Sequence, residues 1–394
     1  MHGEREESEV ALRESLRARA KLGPVSNLVN PRVADLAPYP PGKPWRDTAA
    51  ELGVPASELM MLAANENVLG PSPRALAAAG AALGEAHLYP DGAASHLKAA
   101  LARRHGVGVD HVVVGNGSNE LIELLIRTFV GPQETVVTAW PSFVVYRLAA
   151  QSLGREALLA PLRNDRFDLA ALAALVNPRT KLVFIANPNN PTGTHLSRRA
   201  LATFLERIPP PTLVVLDEAY FEYASAEDYP DGIRDFAQFP RLVVLRTFSK
   251  AYGLAGLRVG YGVMDPTLAG YLERVRQPYN VSSVAQAAAL AALEDREHLE
   301  ASQRLVKAGL AQLERGLSAL GLAPVPSQAN FILVRTGRDA AGLVGALRAR
   351  GVLVRDMRGY DMPDTLRITV GTEAMNARVL DALAETVAPP SAGG

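Results

Sequence analysis

VVVGNGSNELIELLIRTFVGPQETVVTAWPSFVVYRLAAQSL, residues 112–153, decides the fold. Val112-Val113-Val114 is a short β-branched run that reads as a buried strand, and Glu120 to Phe129 then sets Leu, Ile and Phe at helical spacing. The pair repeats at once as Val136-Val137-Thr138 and Tyr146 to Leu153. Strand and helix in alternation build a mainly parallel sheet with helices on both faces, because each parallel connection must cross over the sheet. Leu182 to Ile185, Leu213 to Leu216, Leu242 to Leu245 and Arg258 to Val263 continue the series.

Around Gln286 the pattern changes to a long helical region ending near Leu320. Phe331 to Val334, a helix near Ala340 to Arg350, Val352 to Val354, Leu366 to Val370 and a final helix from Thr372 then make a compact α+β unit. Upstream, residues 4 to 22 read as a weakly amphipathic helix ended by Gly23-Pro24, and the proline-rich stretch Pro31 to Pro55 as an irregular wrapping segment. The expected division is an N-terminal arm with part of the small domain (1–60), a large domain (61–290), a small α+β domain (291–388) and a disordered tail (389–394).

Lys+Arg and Asp+Glu both number 41, so no overall field draws nucleic acid or an anionic membrane, and any anion must be bound locally. The chain has no cysteine, which removes disulfides, thiolate catalysis and cysteine-type zinc, and a cytoplasmic setting fits that composition. The N-terminus opens acidic and without an apolar run, and no stretch reaches the ~18 apolar residues of a membrane span.

Ligands of open parallel sheets gather outside the carboxyl ends of the strands, so the residues after each strand are the ones to read. Gly115-Asn116-Gly117-Ser118-Asn119-Glu120 opens a helix whose free N–H groups suit a phosphate, or it is a plain glycine turn with Ser118 as the cap. As a dinucleotide fingerprint it fails at Glu120, where a third glycine is needed. Trp140-Pro141-Ser142-Phe143 offers an aromatic face to a flat ligand or to the core, and Asn187 to Gly193 is a donor-bearing loop or an ordinary turn. Asp217, at the end of a buried strand, needs a partner. A protonated pyridine nitrogen is one, and a metal is the rival, weakened because none of the seven histidines sits at a ligand spacing with it. Thr247-Phe248-Ser249-Lys250 holds one of only six lysines in an arginine-rich chain. A lysine there reads as chosen for an amine that bonds a carbonyl, which arginine cannot supply, with a solvated surface lysine as the rival, and Arg258 adds a fixed charge for a phosphate.

Asn187 to Gly193, Asp217 with Tyr220, and Ser249-Lys250 followed by Gly256-Leu257-Arg258-Val259-Gly260 resemble the fold-type-I aminotransferases that use pyridoxal phosphate. Within them the chain is most similar to the histidinol-phosphate aminotransferases. That likeness rests on Ala64-Asn65-Glu66-Asn67, Tyr89-Pro90-Asp91, the 115–120 string, Arg276 to Val281, Ala329-Asn330-Phe331 and Leu366 to Gly371, in order across roughly residues 38–385. The resemblance implies an α/β fold, a large domain with a mainly parallel mixed sheet between helices plus a smaller α+β domain. It implies that Lys250 carries the cofactor covalently and moves the proton between the substrate α-carbon and the cofactor. Asp217 then holds the pyridinium nitrogen, Tyr220 and Asn190 contact the ring hydroxyl, and Phe143 stacks on the ring. Ser118, Asn119, Thr247, Ser249 and Arg258 surround the phosphate, and Tyr89 arrives from the other subunit of a homodimer. Arg367 takes the carboxylate of glutamate or the phosphate of histidinol phosphate, Arg355 and Tyr39 complete that anion pocket, Asn67 joins the substrate contacts, and no metal takes part.

The implied activity is reversible ping-pong amino transfer between L-histidinol phosphate and 2-oxoglutarate in histidine biosynthesis. Four positions depart from the family's common pattern: Val68, Phe143, Tyr279 and Ser282, which the sequence reading sets around the substrate pocket. The same scaffold also serves aromatic amino acid aminotransferases and, at a greater remove, threonine-phosphate decarboxylases, since function resides in the site. A ligand-sensing regulator needs a DNA-binding module in front, and the residues before the domain hold no helix-turn-helix pattern or basic excess.

Overall fold

The computed structural model describes residue 33 and residues 44–387. The expectations for the helix at 4–22, for Tyr39 and for the 389–394 tail lie outside the described residues. Thirteen strands follow in chain order: β1 (Met60–Leu62), β2 (Val112–Gly115), β3 (Thr135–Trp140), β4 (Glu156–Arg163), β5 (Arg166–Phe167), β6 (Thr180–Ala186), β7 (Leu213–Asp217), β8 (Leu242–Thr247), β9 (Gly260–Val263), β10 (Ala323–Val325), β11 (Phe331–Arg335), β12 (Val352–Asp356) and β13 (Thr365–Thr369).

Eight of them form one sheet in the order β2-β9-β8-β7-β6-β3-β4-β5. Its centre, β8-β7-β6-β3-β4, is parallel, while β9 runs antiparallel to both of its neighbours and β5 folds back on β4. These central strands are apolar on both faces, as a sheet covered by helices requires, and Val183, Phe184, Val215, Val243 and Leu245 have no exposed surface. Helices Pro73–Leu83 and Ser283–Glu294, capped by the hydroxyls of Ser72 and Ser282, pack on each other, and their Ala75 and Ala285 are buried.

The remaining strands form a second sheet, β1-β12-β13-β11-β10, with its own apolar cluster of Leu313, Leu317, Ile332, Leu366 and Ile368. β1 belongs to this sheet through parallel pairing with β12, so the expected boundary at residue 60 falls inside a strand.

Several expectations need correction. The Pro31 to Pro55 segment is not irregular throughout: Trp45–Leu52 is helical, since Pro44 precedes its first turn and Gly53, in a left-handed conformation, ends it before Pro55. The helical region from Gln286 is two helices, Ser283–Glu294 and Arg296–Ala319, divided at Asp295, whose carboxylate accepts from the His298 N–H and starts the second. The helix after β2 begins at Gly117 rather than Glu120, and Ser118 lies inside its first turn instead of capping it. Glu120 reaches back to the Asn116 N–H (2.6 Å), which gives the residue at the failed third-glycine position a structural task. The strand read from Arg258 starts only at Gly260, because Arg258 adopts a left-handed backbone (φ 57°).

Candidate active site

The carboxyl ends of β6, β7 and β8 stand side by side, with Ala186 in register with Asp217 and Asp217 with Leu245. Asp217 is 4 % exposed. Its Oδ2 accepts from the Tyr146 hydroxyl (2.7 Å) and its Oδ1 from the Ala219 N–H (3.2 Å). Burial lifts its pKa to about 6, against the opposing pull of those two donors. Tyr146 is fully buried, stacked on Phe184 (4.8 Å) and edge-on to Phe143 (5.5 Å). In the sequence, Tyr146 marks only the start of a helix. The available signal was its hydroxyl, which a buried tyrosine must direct at a partner.

Lys250 follows β8, and its Nζ donates to the backbone carbonyls of Ala64 and Asn65, each at 3.1 Å. Burial, reinforced by the Arg367 guanidinium, lowers its pKa to about 8. The amine lies 5.8 Å from the Tyr220 ring centroid. Tyr220 accepts from the Asn65 amide (3.0 Å), and burial pushes its phenol up to about 12. Asn65 itself sits at φ 56°, and its backbone N–H donates to Thr369 Oγ1 (3.0 Å). Its part in holding Tyr220 and Lys250 was not legible, because the contact joins residues 155 and 185 positions apart.

Two glycines allow close approach in the cavity wall that Ser118, Asn119, Thr247, Ser249 and Arg258 line. Gly117 has φ +74°, and a Cβ there would lie 2.5 Å from Arg258 Nη2. A Cβ on Gly260 would lie 2.5 Å from the Ser118 backbone nitrogen. The helix start at Gly117 can therefore press against β9 and face Arg258. Arg258 Nη1 donates to Ala255 O (2.9 Å), and Thr247 and Ser249 exchange hydrogen bonds beside it. N–H groups at a helix start, hydroxyls and a guanidinium together make a phosphate-type site.

Across the cavity, Arg355 of β12 and Arg367 of β13 are register partners. Arg367, 6 % exposed, donates to Ala63 O (2.8 Å) and to the Asn190 side-chain oxygen. Arg355 is not absorbed by the nearby acids: Asp356 accepts from Arg358 (2.7 Å) and Asp361 from Trp140 (2.7 Å). A cavity of about 430 Å³ joins all these parts, and Ser118, Asn119, Phe143, Asn190, Arg355 and Arg367 line it together with Asp217, Tyr220, Thr247, Ser249, Lys250 and Arg258.

Other expected residues lie elsewhere. Asn67 does not line the cavity. Its amide donates to Ala251 O (2.9 Å) and Ser302 Oγ (2.7 Å), bracing the loop behind Lys250. Tyr89 is 82 % exposed, stacked on Tyr279 and outside the cavity of its own chain. Of the four departures from the family pattern, only Phe143 lines the cavity: Val68 packs on the second core, Tyr279 meets Tyr89, and Ser282 caps a helix. Trp140 does not present a free face to a ligand, since it stacks on Tyr360, a lining residue that the sequence reading missed.

Residues 57–383 match the family model for aminotransferase class I and II. The chain is 50 % identical over 361 residues to a histidinol-phosphate aminotransferase 2 of Pseudomonas fluorescens, covering 92 % of this chain and 98 % of that protein. It is 52 % identical to a histidinol-phosphate aminotransferase of Anaeromyxobacter sp., covering 90 % and 98 %. Among solved structures, the histidinol-phosphate aminotransferase of Sinorhizobium meliloti, determined with pyridoxal-5'-phosphate, superposes with a TM-score of 0.84 at 31 % identity over 91 % of this chain and 97 % of that one. With the family model spanning most of its length and the architecture shared, the chain belongs to the class I and II aminotransferases of fold type I.

Proposed function

We propose that this aminotransferase uses pyridoxal phosphate to exchange an amino group between L-histidinol phosphate and 2-oxoglutarate. The observation that carries the substrate assignment is the in-register pair Arg355 and Arg367 in the same cavity as the Lys250 amine. One bidentate guanidinium satisfies a carboxylate, whereas a phosphate monoester carries close to two charges and more oxygens. The names of the most similar relatives point the same way.

The residues present fit the cofactor. The helix start at Gly117, pressed against β9 at Gly260, with Ser118 and Arg258 suits its phosphate, the buried Asp217 carboxylate a protonated ring nitrogen, Tyr220 and Asn190 its ring hydroxyl, and Phe143 its ring face. Pyridoxal phosphate, when bound, supplies the electron sink that stabilises negative charge at the substrate α-carbon. Asp217 stays ionised against a cationic ring nitrogen, helped by the Tyr146 O–H. Lys250 first holds the cofactor. Its Nζ, once free, would move the proton at the substrate α-carbon. A lysine whose pKa is near 8 has a substantial neutral fraction at mildly alkaline pH, as a base requires. Arg355 and Arg367 would hold the anionic group on one arm of the α-carbon, which orients that carbon toward Lys250. Tyr89 reaches the site of a second subunit in a homodimer, in keeping with its exposure and its absence from the lining of its own cavity.

The test is a single half-reaction. Protein loaded with pyridoxal phosphate is given histidinol phosphate, phenylalanine, tyrosine, glutamate or threonine phosphate separately, and its absorbance reports conversion to the pyridoxamine form. Histidinol phosphate converts it at the lowest concentration. Phenylalanine or tyrosine acting at lower concentration would replace this reading with an aromatic aminotransferase.

A further inference from the structure

Tyr89 stands on the loop between helices Pro73–Leu83 and Ser95–His105, and although its ring is exposed the backbone beneath it is closely held. Arg276 Nη2 donates to Gly92 O (2.8 Å) and Gln286 Nε2 to Asp91 O (3.0 Å). The Asp91 carboxylate accepts from the N–H groups of Ala93 (2.9 Å) and Ser95 (2.6 Å), where the second helix starts. Arg276 is itself fixed. Its Nη1 donates to Asn280 Oδ1 (2.7 Å) and its Nε to Glu273 Oε2 (2.8 Å), and its side chain is only 13 % exposed. Asn280 carries the connection on: its Nδ2 donates to Glu120 Oε2 (2.5 Å), the oxygen that also accepts from the Asn116 N–H, and the Asn116 amide donates back to Asn280 O (3.0 Å). Glu120 lies in the helical turn whose Ser118 and Asn119 line the cavity. A continuous set of hydrogen bonds thus joins that helix start, through Asn280 and Arg276, to the loop of Tyr89. Glu120, Asn280 and Arg276 do not line the cavity, so any effect they have on the cofactor passes through what they hold.

We propose that Arg276 is a positioning residue for the cofactor site of the opposite subunit: through Gly92 it fixes the loop that presents Tyr89, and through Asn280 and Glu120 it ties that loop to the cofactor-side helix of its own subunit. This rests on the reading that Tyr89 serves a second subunit, and deepens it by naming what aims the tyrosine. A side chain that lands on another molecule binds better when its backbone is already ordered, because the ordering cost is then not met on contact. A guanidinium suits this task, since its fork reaches Asn280 and Gly92 at once from one planar group.

The experiment uses heterodimers purified through separate tags, in which a Lys250→Ala chain is paired with a chain that keeps Lys250. Their one lysine-bearing site takes Lys250 from one subunit and Tyr89 from the other. Arg276→Gln is placed on either subunit, and the dissociation constant of pyridoxal phosphate is read from the absorbance of the lysine-bound cofactor. On the Lys250→Ala subunit, which presents Tyr89 to that site, the substitution raises the constant about tenfold, as for one charged hydrogen bond, and on the lysine-bearing subunit it leaves the constant within about twofold. Arg276→Lys, which keeps the charge and loses the fork, shows the same asymmetry with a smaller rise, and it carries the test should Arg276→Gln fold poorly. Equal changes from both placements, a change only from the lysine-bearing subunit, or no change from either overturns the proposal. Tyr89→Ala in the same two placements checks the underlying reading separately, and weakens binding only from the Lys250→Ala subunit. Should it act from the lysine-bearing subunit, or from neither, the two-subunit reading of Tyr89 fails and this inference with it. Should Tyr89→Ala act across the dimer while Arg276→Gln and Arg276→Lys do not, the inference alone is overturned.

Discussion

Asp217 shows how a site residue can work against the stability of the protein that holds it. Its carboxyl is buried and its pKa raised from 3.8 to about 6, so the folded cofactor-free protein binds this proton more tightly than the unfolded chain does. The stability linked to it is fully present below pH 3.8 and is lost as the pH rises through 6. Asp217→Asn keeps an acceptor for Tyr146 and removes the charge. Thermal melts of the cofactor-free proteins should coincide near pH 4 and separate above pH 6, with the variant more stable by about 2–3 kcal/mol, because only the wild type then carries the buried charge. The same variant should bind pyridoxal phosphate more weakly. Arg355 is the second residue-scale test: Arg355→Ala should lower kcat/KM for histidinol phosphate by about 1.5–3 kcal/mol, the range for charged hydrogen bonds, and lower it much less for phenylalanine. Equal losses would return Arg355 to a structural role. Lys250 and Asp217 could be singled out in the sequence because each residue type is unusual just after a buried strand, and Arg258 by its place eight residues after that lysine. Tyr146, Asn65 and Tyr360 could not, since their meaning depends on partners 71, 155 and 220 or so positions away, which no local pattern encodes.

The ends of β7 and β8 are held together by charge as well as by backbone pairing. Arg246 of β8 donates from Nε (2.9 Å) and Nη2 (2.7 Å) to Glu218 Oε2, and from Nη2 to Asp231 (2.7 Å), with its guanidinium 3.3 Å from the Phe221 ring centroid. Glu218 has no exposed surface, and burial lifts its pKa to about 7 even with Arg246 opposing. Removing one partner leaves a buried charge alone. Arg246→Met should therefore destabilise the protein by about 3–5 kcal/mol in urea unfolding, and adding Glu218→Leu should restore most of that loss. A single variant as stable as the double would show that the pair does not order these strand ends. Strands of the large sheet were legible because runs such as Leu213 to Leu216 are apolar on both faces. The helix Trp45–Leu52 was not, because surrounding prolines dominate the local pattern, although they fall just outside its ends. The break at Asp295 was hidden by continuous helical spacing on both sides of a single capping residue.

For the whole molecule, the exposed Tyr89, with Tyr279, Leu83 and Leu88 also exposed, makes the isolated chain an incomplete description of the proposed enzyme. Mixed dimers of Lys250→Ala and Tyr89→Ala, each inactive alone, would contain one intact site if Tyr89 serves the partner subunit. Random re-association should then regain about a quarter of wild-type activity, whereas sites built within one chain would regain none. The two-sheet architecture followed from alternation in the first part of the chain and its loss after Gln286. The entry of β1 into the second sheet did not, because a three-residue strand leaves little periodicity to read. No helix among the described residues is long and apolar enough to cross a membrane. All of the proposed chemistry requires one lysine of the six to hold the cofactor. Loading the full-length protein with pyridoxal phosphate, reducing it with borohydride and mapping the peptides tests this directly: the label should lie on Lys250, and a label on any other lysine, or none, would contradict the account.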